Sequence, residues 1–164
     1  MALTTLDIKE PGLNVLPPGV ERHVILAGGL TGLQIFPDDE IEIINDEGNQ
    51  ICEIVCFDKD GKSELGILSL KENKKNNFIK DILTNKNESS LATNYQLKKR
   101  NLNVESSKSA IVFDFDTPSG EKLKLKSKDK CYVIFAAPQN NMVISEQNPA
   151  SDLTIFIKRS KIKN

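Results

Sequence analysis

Tryptophan is absent from these 164 residues, and histidine occurs once, as His23. The missing tryptophan carries no functional weight. Lys, Asn and Ile are abundant, a bias that an AT-rich genome produces by itself. The single histidine is more restrictive. Any Ser-His-Asp or Cys-His catalysis would have to run through His23, and nothing in the sequence pairs it with a nucleophile. Cysteine is scarce and odd in number: Cys52, Cys56 and Cys131. The first ten residues lack the basic start and apolar core of a secretory leader. Free thiols in a reducing cytoplasm are therefore expected. No apolar run approaches the length of a membrane span, so no membrane partner is expected. The net charge is only −1, so no global field argues for nucleic acid.

What is present reads as one soluble globular domain with a real core, at 38% hydrophobic and 27% charged residues. Charge is uneven along the chain. Residues 37–60 hold nine acids and one lysine, a net of −8, while residues 119–164 hold nine bases and four acids, a net of +5. Such runs are usually solvated faces, so oppositely charged surfaces of one domain are expected to lie near each other.

Hydrophobic periodicity predicts a mainly β chain. Residues 1–20 form an extended lead-in broken by Pro11-Gly12 and Pro17-Pro18-Gly19. A single β-rich domain spans 21–159, and residues 160–164 are a basic tail that continues Lys158-Arg159. Strands are read at 24–26 and 30–36, around Gly28-Gly29. The block from Arg22 to Asp58 reads as a β-meander. Alternation at 40–44 and 122–126 marks half-buried strands, while 51–57 and 131–137, apolar on both faces, read as central ones. A hairpin at Asp60-Gly61 would return along 65–70. Residues 110–115 form a further strand, with Pro118-Ser119-Gly120 as the hairpin turn to the next, and 153–157 is the last. The insertion at 72–102 reads as two short helices joined by residues 85–88. Their apolar faces are Phe78, Ile79, Ile82, Leu83 and Leu91, Ala92, Tyr95. About nine short strands with a two-helix insertion argue for a barrel- or sandwich-like domain.

Several motifs invite chemistry. Residues 111–117 look at first like the paired aspartates of a haloacid-dehalogenase-type phosphatase. Thr117 follows Asp116 at once, however, and only 46 residues lie beyond Pro118, too few for that α/β remainder. A strand leading into a turn, with Asp116 and Thr117 bonding turn amides, explains it better. Cys52 and Cys56 share a strand face but lie roughly 13 Å apart at strand rise. One zinc with thiolate bonds of about 2.3 Å cannot bridge that, so no metal is expected and both read as small buried apolar residues. Gly28-Gly29-Leu30-Thr31-Gly32 lacks the Lys-Ser/Thr pair and following helix of a P-loop, and reads as a bend or bulge.

Glu53 shares its strand face with Ile51, Val55 and Phe57. If that face is core, the carboxylate needs a partner or a raised pKa. The alternative is an edge position with a lysine beside it. The polar turn Asp46, Glu47, Asn49, Gln50 and the turn Asp114, Asp116, Thr117 are the other places where carboxylates and amides interrupt core-like strands. Together with Glu53 they form the candidate ligand site. The alternative is that the two turns lie at opposite ends and simply cap the fold.

The order of these signals resembles one family, the urea-carboxylase-associated domain. The form in question stands N-terminal to aminomethyltransferase (glycine-cleavage T-protein-like) proteins. The resemblance rests on Glu21-Arg22-His23-Val24 through Gly32, on Pro37-Asp38-Asp39-Glu40, and on Asp46 through Asp58. It continues through residues 97–102, the Asp114–Gly120 turn, Ala136-Ala137-Pro138 and Gln147 through Leu153. It implies a compact β-rich domain beside a folate-dependent aminomethyltransferase or demethylase. The domain itself would be accessory or substrate-positioning and would hold no cofactor, folate belonging only to the linked domain. Relatives in urea and guanidine metabolism are deiminase subunits that look to pair a polar turn with a later Cys-Gly-x-His-Asp stretch. Here Cys131 is followed by Tyr132 and Val133, and no histidine follows His23. Two rival readings are a small hydrolase or deiminase acting on an amidine- or urea-like compound, and a plain interaction module.

Overall fold

The computed structural model describes residues 16–72, 78–114, 116–139 and 150–160. The lead-in up to residue 15, residues 73–77 of the insertion, Phe115, residues 140–149 and the tail from 161 onward lie outside the described residues.

Eight strands are found among the described residues: β1 (Val20–Ile25), β2 (Leu30–Ile35), β3 (Glu40–Asn45), β4 (Cys52–Asp58), β5 (Ser109–Val112), β6 (Glu121–Lys126), β7 (Cys131–Ala136) and β8 (Leu153–Lys158). They form two four-stranded sheets, ordered β1-β8-β3-β6 and β2-β7-β4-β5. Every pairing is antiparallel. The chain changes sheet at each connection except β4 to β5. This is the strand order of a double-sheet jelly roll. The expected meander is thus corrected: from β1 to β4 consecutive strands lie on opposite layers and do not pair. The Pro118-Ser119-Gly120 turn is likewise no hairpin, for it carries the chain from β5 in one sheet to β6 in the other.

The two kinds of strand seen in the sequence have one cause. The first core lies between the sheets and includes Ile41, Ile43, Ile155 and Ile157 from one, and Cys52, Ile54, Val133 and Phe135 from the other. A second lies on the far face of the β2-β7-β4-β5 sheet, where Val55, Phe57, Tyr132 and Ile134 meet Ile79, Ile82 and Leu97 of the helical insertion. Strands β4 and β7 are covered on both faces and so are apolar on both, apart from Glu53 and the terminal Asp58 of β4. Strands β3 and β6 have one face toward the core and alternate. Their outer residues pair by charge: Glu40 lies opposite Lys126 and Lys158, and Glu42 opposite Lys124, whose ammonium is 3.9 Å away. Part of the acidic stretch thus faces part of the basic one across one sheet.

The expected return strand at 65–70 is instead a 3-10 turn, Leu65–Leu68. Leu65 and Leu68 are both buried, and their i, i+3 spacing suits three residues per turn. The Glu64 carboxylate accepts from Gly66 N at the start, and Ser69, with φ 59°, ends it. Only a bridge between Phe57 and Ser63 remains of the hairpin.

Helix α1 (Phe78–Ile82) buries Ile79 and Ile82, the face expected. Helix α2 (Glu88–Lys99), capped by Asn87, does not follow its expected face. It buries Ser90, Thr93 and Leu97, while Leu91, Ala92 and Tyr95 are exposed. Two polar bonds decide this. Ser90 Oγ donates to the Ile82 carbonyl at 2.8 Å, and Asn94 Nδ2 donates to the Leu83 carbonyl at 2.8 Å. These cap carbonyls at the end of α1, that of Ile82 alongside its bond from Asn85 N at 3.0 Å.

Candidate functional site

The two polar turns close the same end of the sandwich and touch each other. The alternative, that they cap opposite ends, does not hold. Asn49 N donates to the Thr117 carbonyl at 2.8 Å, and Gly120 N to the Asn45 carbonyl at 2.7 Å. Ser119 Oγ donates to the Asp46 carbonyl at 2.8 Å. Gly48 is needed at the contact. Its φ is +79°, and a Cβ there would stand 2.7 Å from Ser119 N and 2.8 Å from the Thr117 carbonyl.

Within this end the side chains divide into two groups. Gln50 is buried and fully bonded: Nε2 donates to the Ile51 and Pro138 carbonyls at 2.8 and 2.9 Å, and Oε1 accepts from Ser151 N at 2.8 Å. It ties the start of β4 to the end of β7 and the approach to β8. Asp46 accepts from Thr154 Oγ1 at 2.7 Å. Asp114 accepts from Asp116 N at 2.9 Å and from Thr117 Oγ1 at 3.2 Å, and Thr117 Oγ1 in turn accepts from Asp114 N. The turn-bonding carboxylate is therefore Asp114 rather than the expected Asp116. Asp46, Glu47, Asn49, Asp114 and Asp116 are exposed and rim this end with four carboxylates.

Glu53 has no exposure and belongs to the helix-facing side of its sheet. Strand β4 runs between β7 and β5, so the edge alternative fails. Its Oε1 accepts from Ile79 N at 2.6 Å, in the first turn of α1. A carboxylate in the sheet thus holds the helical layer in place, which meets the need for a partner on burial.

Cys52 and Cys56 point into the inter-sheet core with no exposure, as expected of small apolar residues. Cys131 lies beside Cys56 and within 3.5 Å of Ser127 Oγ. The neighbouring Cys131 thiol and burial push Cys56 up, and the Cys56 thiol beside it lowers Cys131. All three thiols are free. Among the described residues no group of three or more His, Cys, Asp or Glu is arranged to hold a metal ion.

The sequence reading missed the other end of the sandwich. Arg159, assigned to a basic tail, is a hub. Nε and Nη2 donate to the Glu21 carboxylate at 2.8 and 3.0 Å, and Nη1 donates to Asp39 Oδ2 at 2.7 Å and to the Gln34 carbonyl at 2.9 Å. Asp39 is only 1% exposed. The Arg159 bond holds the Glu21 carboxyl below its usual range. His23 Nε2 lies 3.0 Å from the same carboxylate. The available signal was the Pro37-Asp38-Asp39 turn, where a carboxylate turned inward requires a cation from elsewhere in the chain.

The fold and its closed polar end define a β-sandwich module with a helical layer on one face. No family model matches the chain. It is homologous to a trimethylamine-oxide aldolase of Ruegeria pomeroyi, with 32% of residues identical over 157, which are 96% of this chain and 20% of that enzyme. The chain thus spans about one fifth of the length of the curated relative it matches. Among the described residues no helix is long and apolar enough to cross a membrane.

Proposed function

We propose that this chain is an accessory, substrate-positioning domain of an aminomethyltransferase- or demethylase-like system, of the urea-carboxylase-associated type, and not a catalyst alone. The observation that carries the reading is the match to one fifth of a trimethylamine-oxide aldolase across nearly the whole chain. The polar turns add support. Gln50, Asp114 and Thr117 spend their hydrogen bonds on the chain itself, which suits a scaffold better than a reacting centre. The substrate class is then a small methylated amine or amine oxide. Folate, where the reaction uses it, is held by the partner domain, in the cytoplasm.

The test is turnover of trimethylamine N-oxide, followed by mass spectrometry. The purified chain is assayed alone, and then with the aminomethyltransferase-like polypeptide that adjoins it. Turnover is expected only with both present. Consumption by the chain alone would favour the hydrolase class of reading. Partner activity that is the same with and without this chain would remove the accessory role.

A further inference from the structure

Helix α2 has an inverted pattern. Two of its three buried positions are Ser90 and Thr93, while its outward face carries Leu91 and Tyr95, which are 56% and 64% exposed, with Ala92 between them. A lone surface helix turns its apolar stripe to the core. Here Ser90 and Asn94 hold α2 on α1 through backbone carbonyls, which leaves the apolar stripe free for something else. Beside it runs a groove of about 690 Å³ whose apolar wall is formed by Leu83, Leu97, Leu102 and Val104. Lys80, Lys98 and Glu105 stand on its rim.

Charge narrows the choice of occupant. Residues 78–108 carry six Lys or Arg and three Asp or Glu, a net of +3 in a chain of net −1. A second copy of this chain is a poor match: the acids of its strand β3 already face lysines across its own sheet, and its exposed carboxylates Asp46, Glu47, Asp114 and Asp116 rim a polar turn and not an apolar patch. Size narrows it further. A stable interface between separate proteins buries about 800 Å² on each side, more than three side chains and one groove supply. A contact this small is filled when the partner is also held by other means, since tethering raises its effective concentration. In the relative, the matching stretch is part of a polypeptide of which it makes up 20%.

We infer that the outer face of α2, at Leu91, Ala92 and Tyr95 with the adjoining groove, seats the aminomethyltransferase-like partner domain, which covers it with an apolar patch rimmed by carboxylates. This rests on the function proposed above.

The test uses the chain in its own cells, with the photo-crosslinker p-benzoylphenylalanine placed at Tyr95 or, as a control, at Arg22 on the outer face of the other sheet. Irradiation should link position 95, and not 22, to aminomethyltransferase-like sequence identified by mass spectrometry, whether on the same polypeptide or a separate one. Leu91→Glu should lower that yield by about tenfold, equivalent to about 1.4 kcal/mol of lost contact, with the melting temperature unchanged. Linkage from position 22 alone, or equally from both, overturns the docking face and leaves the accessory function standing. Linkage of position 95 to a second copy of this chain also overturns it. No linkage to such a partner from either position sinks both.

Discussion

The Gln50 side chain reaches the Pro138 carbonyl at 2.9 Å across 88 residues of chain, and its oxygen accepts from Ser151 N at 2.8 Å. One buried amide thereby closes the polar end of the sandwich. Gln50→Leu strands a buried N–H and two carbonyls, each worth about 1–3 kcal/mol when left unsatisfied. With partial relaxation the expected loss is about 2–3 kcal/mol, a fall in melting temperature of roughly 5–10 °C. Asp116→Asn, at the exposed rim, should stay within about 0.5 kcal/mol. Thermal unfolding of both checks this. Equal melting temperatures for Gln50→Leu and the parent would mean that the amide is free for a ligand.

Glu53 separates a structural carboxylate from a reacting one. Because its Oε1 accepts from Ile79 N at 2.6 Å, Glu53→Gln keeps an acceptor in place and Glu53→Ala does not. Urea unfolding should show Glu53→Ala weaker by about 2 kcal/mol or more, with Glu53→Gln recovering most of that. The loss should appear first as faster hydrogen exchange in α1. Loss of partner activity in Glu53→Gln at unchanged stability would contradict the structural role.

Arg159 supplies the pH dependence. Its bond to Glu21 lowers that carboxyl from 4.5. A depressed carboxyl contributes stability that is fully present above its unfolded value and is lost as pH falls through its folded value. The parent chain should therefore lose stability below about pH 4.5, and Arg159→Met should lose less of its own over that window. At neutral pH, Arg159→Met leaves Asp39 buried without its cation and should cost about 3–5 kcal/mol. Melting temperatures of both chains from pH 3 to pH 7 test this. Parallel curves would show that the ion pair contributes nothing to the acid limb.

By itself the sequence determined which faces are buried. Alternation in β3 and β6, continuous apolar runs in β4 and β7, and the Ile79 and Ile82 face of α1 were all legible, because burial periodicity is written within each element. Tertiary structure alone decided which elements meet. A run of valines and isoleucines is the same whether its neighbour in the sheet is the next strand or one 80 residues away, so the meander reading and the jelly roll share one local pattern. The same holds for single residues. Leu91, Ala92 and Tyr95 have the spacing of a core face, and only the bonds from Ser90 and Asn94 to the end of α1 turn them outward. Arg159 read as solvated tail until the burial of Asp39 at 1% exposure fixed its place, because the cost of an unpaired buried charge is not local to either residue.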